Sequence, residues 1–123
     1  MAGPLIQNFS VEAGDPTKVN VDVDPDVGVS LLGATIYWSV YAQKFTMPYG
    51  DPILRKVSDH GITITDAEAL KFQITIDGAD TTNYLGNFYH ETQIIDSDNN
   101  LVTVNQGIMT IKRTVNRDYS IPA

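Results

Sequence analysis

Residues 77–111 read DGADTTNYLGNFYHETQIIDSDNNLVTVNQGIMTI, and this stretch decides the fold. Bulky or apolar side chains occupy every second position of its first half, at Phe88, His90, Thr92 and Ile94. This spacing is the period of a half-buried β-strand and not of a helix. The stretch therefore predicts a long strand, preceded by a corner at 77–84 that has room for one helical turn.

The polar run DSDNN at 96–100 separates this strand from a second apolar run that ends at Ile111. Asp and Asn tolerate positive φ and bond to their own backbone, so the run predicts a hairpin turn. Asp96 and Asp98 also have the opening spacing of a calcium loop. Leu101 stands where that loop requires glycine, which favours the plain turn.

Strand patterns continue through the rest of the chain. Residues 17–23 alternate strictly, with Val19, Val21 and Val23 on one face, and the only tryptophan, Trp38, shares a face with its apolar neighbours two residues away. Shorter strands are predicted at 9–13, 53–57, 62–65 and 72–76. Strands that recur every 8–12 residues with turn signals between them are typical of an all-β sandwich.

Composition limits the classes of function. The chain has 123 residues, no cysteine and a net charge of −7. We expect one domain over residues 1–123, without disulfides or thiolate metal sites. An acidic surface repels phosphate, so neither nucleic acid nor membrane is expected as a partner. No secretory signal or membrane-spanning run is recognised, so synthesis in the host cytoplasm is expected.

The residues offer little for catalysis. His90 is expected to point into the core, and Glu91 cannot assist it because adjacent strand residues face opposite sides. His60 falls in a turn and is expected to be exposed. The chain has no nucleophile elbow and no phosphate-binding glycine loop. We therefore expect no enzyme activity, no catalytic residue, no cofactor and no metal, although cation binding at Asp22, Asp24 and Asp26 or at the Asp96 turn remains open.

Two segments are the better candidates for contacts with other molecules. The loop 44–52 carries two aromatics, Phe45 and Tyr49, and the C-terminal tail carries Arg113, Arg117 and Tyr119 on an otherwise acidic chain. Aromatic residues and arginines commonly anchor interfaces. A basic tail of this kind could dock on an acidic neighbouring subunit through charge complementarity.

A family resemblance rests on several of these motifs. They are LxGATIxW at 31–38, GITITD at 61–66, Asp80-Thr81, GxFYHE at 86–91, the turn at 96–99 and TVxxG at 103–107. In this order they resemble the immunoglobulin-like N-terminal domain of phage baseplate upper proteins and related virion proteins, over roughly residues 8–113. We expect no receptor-binding or coiled-coil segment after this domain, unlike in the baseplate family.

The resemblance implies an immunoglobulin-like β-sandwich of about 7–9 antiparallel strands, with short tails before residue 8 and after residue 113. It also implies a non-enzymatic virion protein that contacts other tail, baseplate or capsid subunits, with a homo-oligomer on the particle as one option. A tail or baseplate location is favoured, with capsid decoration second. The alternative is a carbohydrate- or receptor-binding module whose aromatic platform comprises Tyr37, Tyr41, Phe45 and Tyr49.

Overall fold

Nine strands and one helical turn make up the described part of the chain. The computed structural model describes residues 5–24, 28, 30–42 and 52–113. The elements are β1 (Leu5–Ile6), β2 (Phe9–Glu12), β3 (Thr17–Asp22), β4 (Thr35–Tyr41), β5 (Leu54–Ser58), β6 (Gly61–Asp66), β7 (Lys71–Ile76), α1 (Gly78–Thr81), β8 (Gly86–Ile95) and β9 (Leu101–Lys112). Within these residues, no helix has the length and apolar character that crossing a bilayer requires.

The strands form two packed layers. The smaller layer is β3-β7-β6 and the larger is β9-β8-β4-β5, and every neighbouring pair within these two runs is antiparallel. The layers meet at a corner, where β5 and β6 share two residue pairs, Val57 with Gly61 and Ser58 with Ile62. Buried side chains from both layers belong to one apolar cluster, so the chain is a β-sandwich.

The connections between the strands are those of a Greek key. Within the layers, β4–β5, β6–β7 and β8–β9 are consecutive strands, whereas β3 pairs with β7 and β4 pairs with β8 across long stretches of sequence. A layer of the third, seventh and sixth strands faces a layer of the fourth, eighth and ninth, with a buried tryptophan in the fourth. This is the arrangement of immunoglobulin domains, and the predicted immunoglobulin-like sandwich is confirmed.

Alternation of side chains along the strands builds the core. Trp38 is fully buried at the centre of β4, and the inward residues of β8 predicted from the period of two, from Phe88 to Ile94, are buried as well. Fully burying one large apolar side chain contributes about 1.5–3 kcal/mol. The core contains many such side chains, so the domain needs no disulfide to hold its layers together.

The first two strands run parallel to the last. β1 and β2 pair in sequence with residues 105–106 and 109–112 of β9. Between them, the Gln7 N–H donates to the Gln106 carbonyl at 2.8 Å, and Asn8 Oδ1 accepts from the Ile108 N–H at 2.8 Å. A Cβ at Gly107 would overlap the Gln7 carbonyl oxygen and lie 2.6 Å from Asn8 Oδ1. Glycine at this position therefore allows residues 7 and 8 to cross close over β9.

The N-terminal boundary differs from the predicted one. The tail predicted before residue 8 includes Leu5 and Ile6, which form β1, and Gln7, which bonds to β9. A strand of two residues is too short to show alternation, so periodicity alone could not detect it. The parallel pairings of β1 and β2 with β9, and of β5 with β6, add to the antiparallel arrangement that was predicted.

The corner before β8 is held by an ion pair and by backbone contacts. Lys56 Nζ lies 2.7 Å from Asp80 Oδ2, with the lysine side chain 11% exposed. The same carboxylate oxygen accepts from the Asp77 N–H at 2.8 Å. On the other side of α1, Thr81 Oγ1 accepts from the Gly14 N–H at 2.9 Å. These contacts fix α1 against both layers and set where β8 begins.

Replacing Gly107 by alanine should destabilise the domain, because the added methyl group would push the crossing at Gln7 and Asn8 away from β9. We expect a loss of about 1–3 kcal/mol in the free energy of unfolding, the usual cost of overpacking. Urea denaturation followed by tryptophan fluorescence measures it. Thr103→Ala, on the outer side of the same strand, should change stability by less than about 1 kcal/mol. Equal stability of the Gly107→Ala and wild-type proteins would contradict the close crossing.

Candidate functional site

A chain of hydrogen bonds connects three segments in the interior of the sandwich. The Trp38 Nε1–H on β4 donates to His90 Nδ1 on β8 at 3.2 Å. His90 Nε2 lies 2.6 Å from the carbonyl oxygen of Gln7, at the crossing between β1 and β2. Phe9 packs edge-on against the imidazole, with ring centroids 5.0 Å apart. His90 and Gly107 are opposite one another on β8 and β9, so the glycine leaves the space that the Gln7 carbonyl enters.

These bonds determine the protonation state of His90. Indole can only donate, so Nδ1 must accept, and the ring proton must sit on Nε2 to be donated to the Gln7 carbonyl. A neutral imidazole with its proton on Nε2 satisfies both partners. Burial lowers the pKa of His90 from its ordinary value of 6.5, and the hydrogen bond to Gln7 opposes this only in part. The histidine is therefore held neutral.

His90 has no nitrogen left for chemistry. It is 0% exposed and both ring nitrogens are bonded within the protein. A general base or a metal ligand needs an available lone pair within reach of its target. The prediction that His90 is a bonded core residue is confirmed. His60 is exposed in the turn between β5 and β6, as predicted.

Gln7 joins the hydrogen-bond chain to the rest of the interior. Its side-chain Oε1 accepts from Asn105 Nδ2 on β9 at 2.8 Å, and its Nε2 lies 3.4 Å from the Asn20 carbonyl on β3. Asn105 faces Thr92 across the hairpin, and both are fully buried. Among the described residues, Thr92 Oγ1 and Asn105 Oδ1 have no hydrogen-bond partner. Buried polar groups thus form a strip within the apolar core, and Gln7 connects this strip to β9 and, at an exposed position, contacts β3.

The outward side of β5, β4, β8 and β9, which we call the outer face, is organised in rows across the strands. Strand registers define the rows as Val57–Tyr37–Gln93–Thr103, Arg55–Ser39–Glu91–Gln106 and Tyr41–Tyr89–Ile108. Most of these side chains are half-buried, Ser39 and Tyr89 are buried, and Arg55 is exposed. The Arg55 Nε–H donates to Ser39 Oγ at 3.1 Å, and the Tyr89 hydroxyl donates to Gln106 Oε1 at 3.0 Å. The outer face therefore combines tyrosines with one positive and one negative charge.

Most of the interaction residues predicted from the sequence lie outside the described residues. These are Phe45 and Tyr49 of the loop and Arg117 and Tyr119 of the tail. Arg113 is described: it is exposed and directly follows β9.

The sequence left cation binding open at several acidic residues, and the structure gives two of them, Asp96 and Asp22, other neighbours. Asp96 Oδ1 accepts from the N–H groups of Asp98 and Asn100, both at 2.9 Å, and its Oδ2 accepts from Asn100 Nδ2 at 3.1 Å. These bonds, chiefly that to the Asn100 backbone, lower the pKa of Asp96. Asp22 lies opposite Lys71 in the ladder, and Asp26 is outside the described residues. Across the described ranges, no group of three or more His, Asp or Glu residues is placed to hold a metal ion.

The sequence interpretation did not identify Gln7, Arg55 and Glu91 as members of these sites. Strand parity does place Glu91 on the face opposite His90, which the structure confirms. The row that joins Glu91 to Arg55 depends on the register of three strands, and no single strand shows it. Gln7 precedes the predicted core, and nothing in its local sequence distinguishes it from a tail residue.

Comparisons with known proteins give structural similarity without a matching family. No protein-family model matches the chain, and no curated protein does. Extracellular domains 3–5 of Drosophila OTK are similar in structure, with 13% sequence identity and a TM-score of 0.32 over 91% of this chain and 34% of that structure. The chain thus spans about a third of the length of the structure it resembles. We base the fold on the strand arrangement and not on this similarity.

Acid should destabilise the protein through His90. The pKa of His90 lies below 6.5 in the folded protein and near 6.5 in the unfolded chain. Between these two pKa values the unfolded chain binds the proton and the folded chain does not. Stability should therefore be unaffected by His90 above its unfolded pKa and fall as the pH decreases below about 6.5, by at most about 1.4 kcal/mol per pH unit.

Urea titrations from pH 8 to pH 5 measure this dependence. His90→Gln should be less stable at pH 8 and should lack the part of the slope that His90 contributes. His60→Gln is the matched control and should keep the wild-type profile. An unchanged slope in the His90→Gln protein would contradict the neutral, doubly bonded histidine.

Proposed function

We propose that this chain is a structural component of a bacteriophage particle, that it attaches by protein–protein contacts and that it has no catalytic activity. A tail or baseplate position is favoured, with capsid decoration second. The resemblance to baseplate upper proteins supports the particle assignment. It includes the GxFYHE motif at 86–91, which supplies the inward Phe88 and His90 and the outward Glu91.

One observation carries the non-catalytic part of the proposal. His90, the buried group most suited to acid–base chemistry, has both nitrogens bonded to Trp38 and Gln7. The same bonds keep it neutral and inaccessible to a substrate. Its role in this account is to hold the layers together so that the outer surfaces are presented rigidly.

The outer face supports the contact part of the proposal. Tyr37 and Tyr41 project from β4 on either side of Ser39, and Glu91 and Arg55 flank the same serine on the neighbouring strands. Tyrosine and arginine are enriched among the residues that anchor interfaces. A rigid sheet that carries them loses little conformational entropy when it binds.

A carbohydrate- or receptor-binding module is the second candidate. Tyr37 and Tyr41 are both half-buried on the same side of β4, which favours an aromatic platform at that place. Phe45 and Tyr49, the other members predicted for the platform, lie outside the described residues.

Particles purified from the lysate of the producing host should contain this chain. We expect quantitative mass spectrometry of gradient-purified particles to give a fixed copy number, and immunogold labelling to mark the tail or its tip. An attached structural protein must be stoichiometric with its binding sites, which a co-purifying contaminant is not. Antibody against a known internal host protein serves as the contamination control.

Label over the head would move the assignment to capsid decoration. A chain that is abundant in the lysate and missing from purified particles would refute the virion proposal. Binding to host-surface glycans that Tyr37→Ala and Tyr41→Ala abolish would then establish the second candidate.

A further inference from the structure

The middle row of the outer face carries two charges, Arg55 and Glu91, that have no counter-ion among the described residues. Arg55, Ser39, Glu91 and Gln106 lie side by side on β5, β4, β8 and β9. Among the described residues, the ion pairs are those of Lys56 with Asp77 and Asp80, on the other side of the sheet. Arg55 and Glu91 are separated by one strand, hence by about 10 Å between their backbones. Each charge on this row is thus available to an external partner.

The surroundings of Glu91 make such a partner favourable. The side chain is half-buried, and burial raises the pKa of its carboxyl group. A carboxylate that is partly removed from water without a cation has lost hydration and gained no compensating attraction. The Arg55 guanidinium, by contrast, is exposed, and its Nε–H bond to Ser39 directs it along the surface towards β4. A guanidinium placed over Glu91 from outside would restore the missing interaction.

Symmetry decides which molecule can supply that guanidinium. Consider a two-fold axis that runs parallel to β4 and passes above Ser39. This axis exchanges the two sides of the strand, so it places Arg55 of one copy over Glu91 of the other, twice in the same interface. An axis perpendicular to the strands would instead place arginine over arginine. Ser39 is small, so it lets the two sheets approach at the centre.

The two neighbouring rows would add aromatic and aliphatic contact area to such an interface. Tyr37 and Val57 lie on one side of the charged row, and Tyr41 and Ile108 lie on the other. Tyrosine and arginine are enriched in interfaces, and homodimer interfaces are more apolar than the rest of the surface. The net charge of −7 opposes association at long range, so the local arginine–glutamate pairs must select the geometry.

We infer that the outer face binds a second copy of this chain in a two-fold dimer, with Arg55 of each copy paired to Glu91 of the other. This goes beyond attachment to a particle and does not depend on it. The dimer forms in the isolated protein, and its face is the middle of the larger layer.

Sedimentation velocity of the purified full chain over a range of concentrations tests the inference. The wild-type protein should dimerise as its concentration is raised. Glu91→Arg and Arg55→Glu should each weaken dimerisation at least about tenfold, because each places like charges together. The double variant, which exchanges the two charges, should restore the dimer to nearly the wild-type affinity.

Lys18→Glu is the matched control, since it reverses an exposed charge on β3 in the other layer and should leave the dimer unchanged. Thermal melts of every variant show whether it is folded. A wild-type chain that stays monomeric up to about 1 mM would overturn the inference and leave the face to a different protein. Single variants with unchanged affinity, or a double variant that fails to recover, would overturn it as well. A wild-type chain that dimerises in isolation but is missing from purified particles would refute only the proposed function.

Discussion

The hydrogen-bond chain from Trp38 through His90 to Gln7 is the interaction on which the rest of the structure depends. It joins β4, β8 and the crossing of the N-terminal strands. In antibody domains the tryptophan of this strand packs against a disulfide between the layers. This chain has no cysteine, and a neutral histidine is the polar group that contacts the indole instead. Each buried bond adds about 0.5–1.5 kcal/mol, and leaving one partner unpaired costs about 1–3 kcal/mol.

The same constraint links the interior to the surface. His90 is bonded to the Gln7 carbonyl, and this carbonyl fits there because Gly107 has no side chain. The close crossing that results brings the N-terminal strands onto β9. With its first strands fixed on β9, the larger layer is a broad sheet, and the sandwich core supports it from behind. His90, the interior group most suited to chemistry, is engaged in these hydrogen bonds. We therefore propose that recognition depends on the outer face, where Tyr37, Glu91 and Arg55 lie.

The sequence was informative wherever one strand carries its own pattern. Alternation located β3, β4, β7 and the long hairpin, and it placed Trp38 and His90 inside. It could not show β1, because two residues have no period, or parallel pairing with β9, because parity along one strand does not identify its neighbour. The partners of His90 lie 52 and 83 residues away in the chain, and such contacts follow only from the assembled topology. The loop and tail residues predicted for binding stay predictions.

The central claim is that His90 is neutral, with its proton on Nε2 and its Nδ1 accepting from Trp38. Nitrogen-15 NMR of the imidazole ring at pH 7 tests this most directly, because protonated and unprotonated ring nitrogens have widely different chemical shifts. We expect an unprotonated Nδ1, a protonated Nε2 and a scalar coupling between His90 Nδ1 and Trp38 Nε1 across the hydrogen bond. A proton on Nδ1, or a charged imidazolium at pH 7, would contradict it.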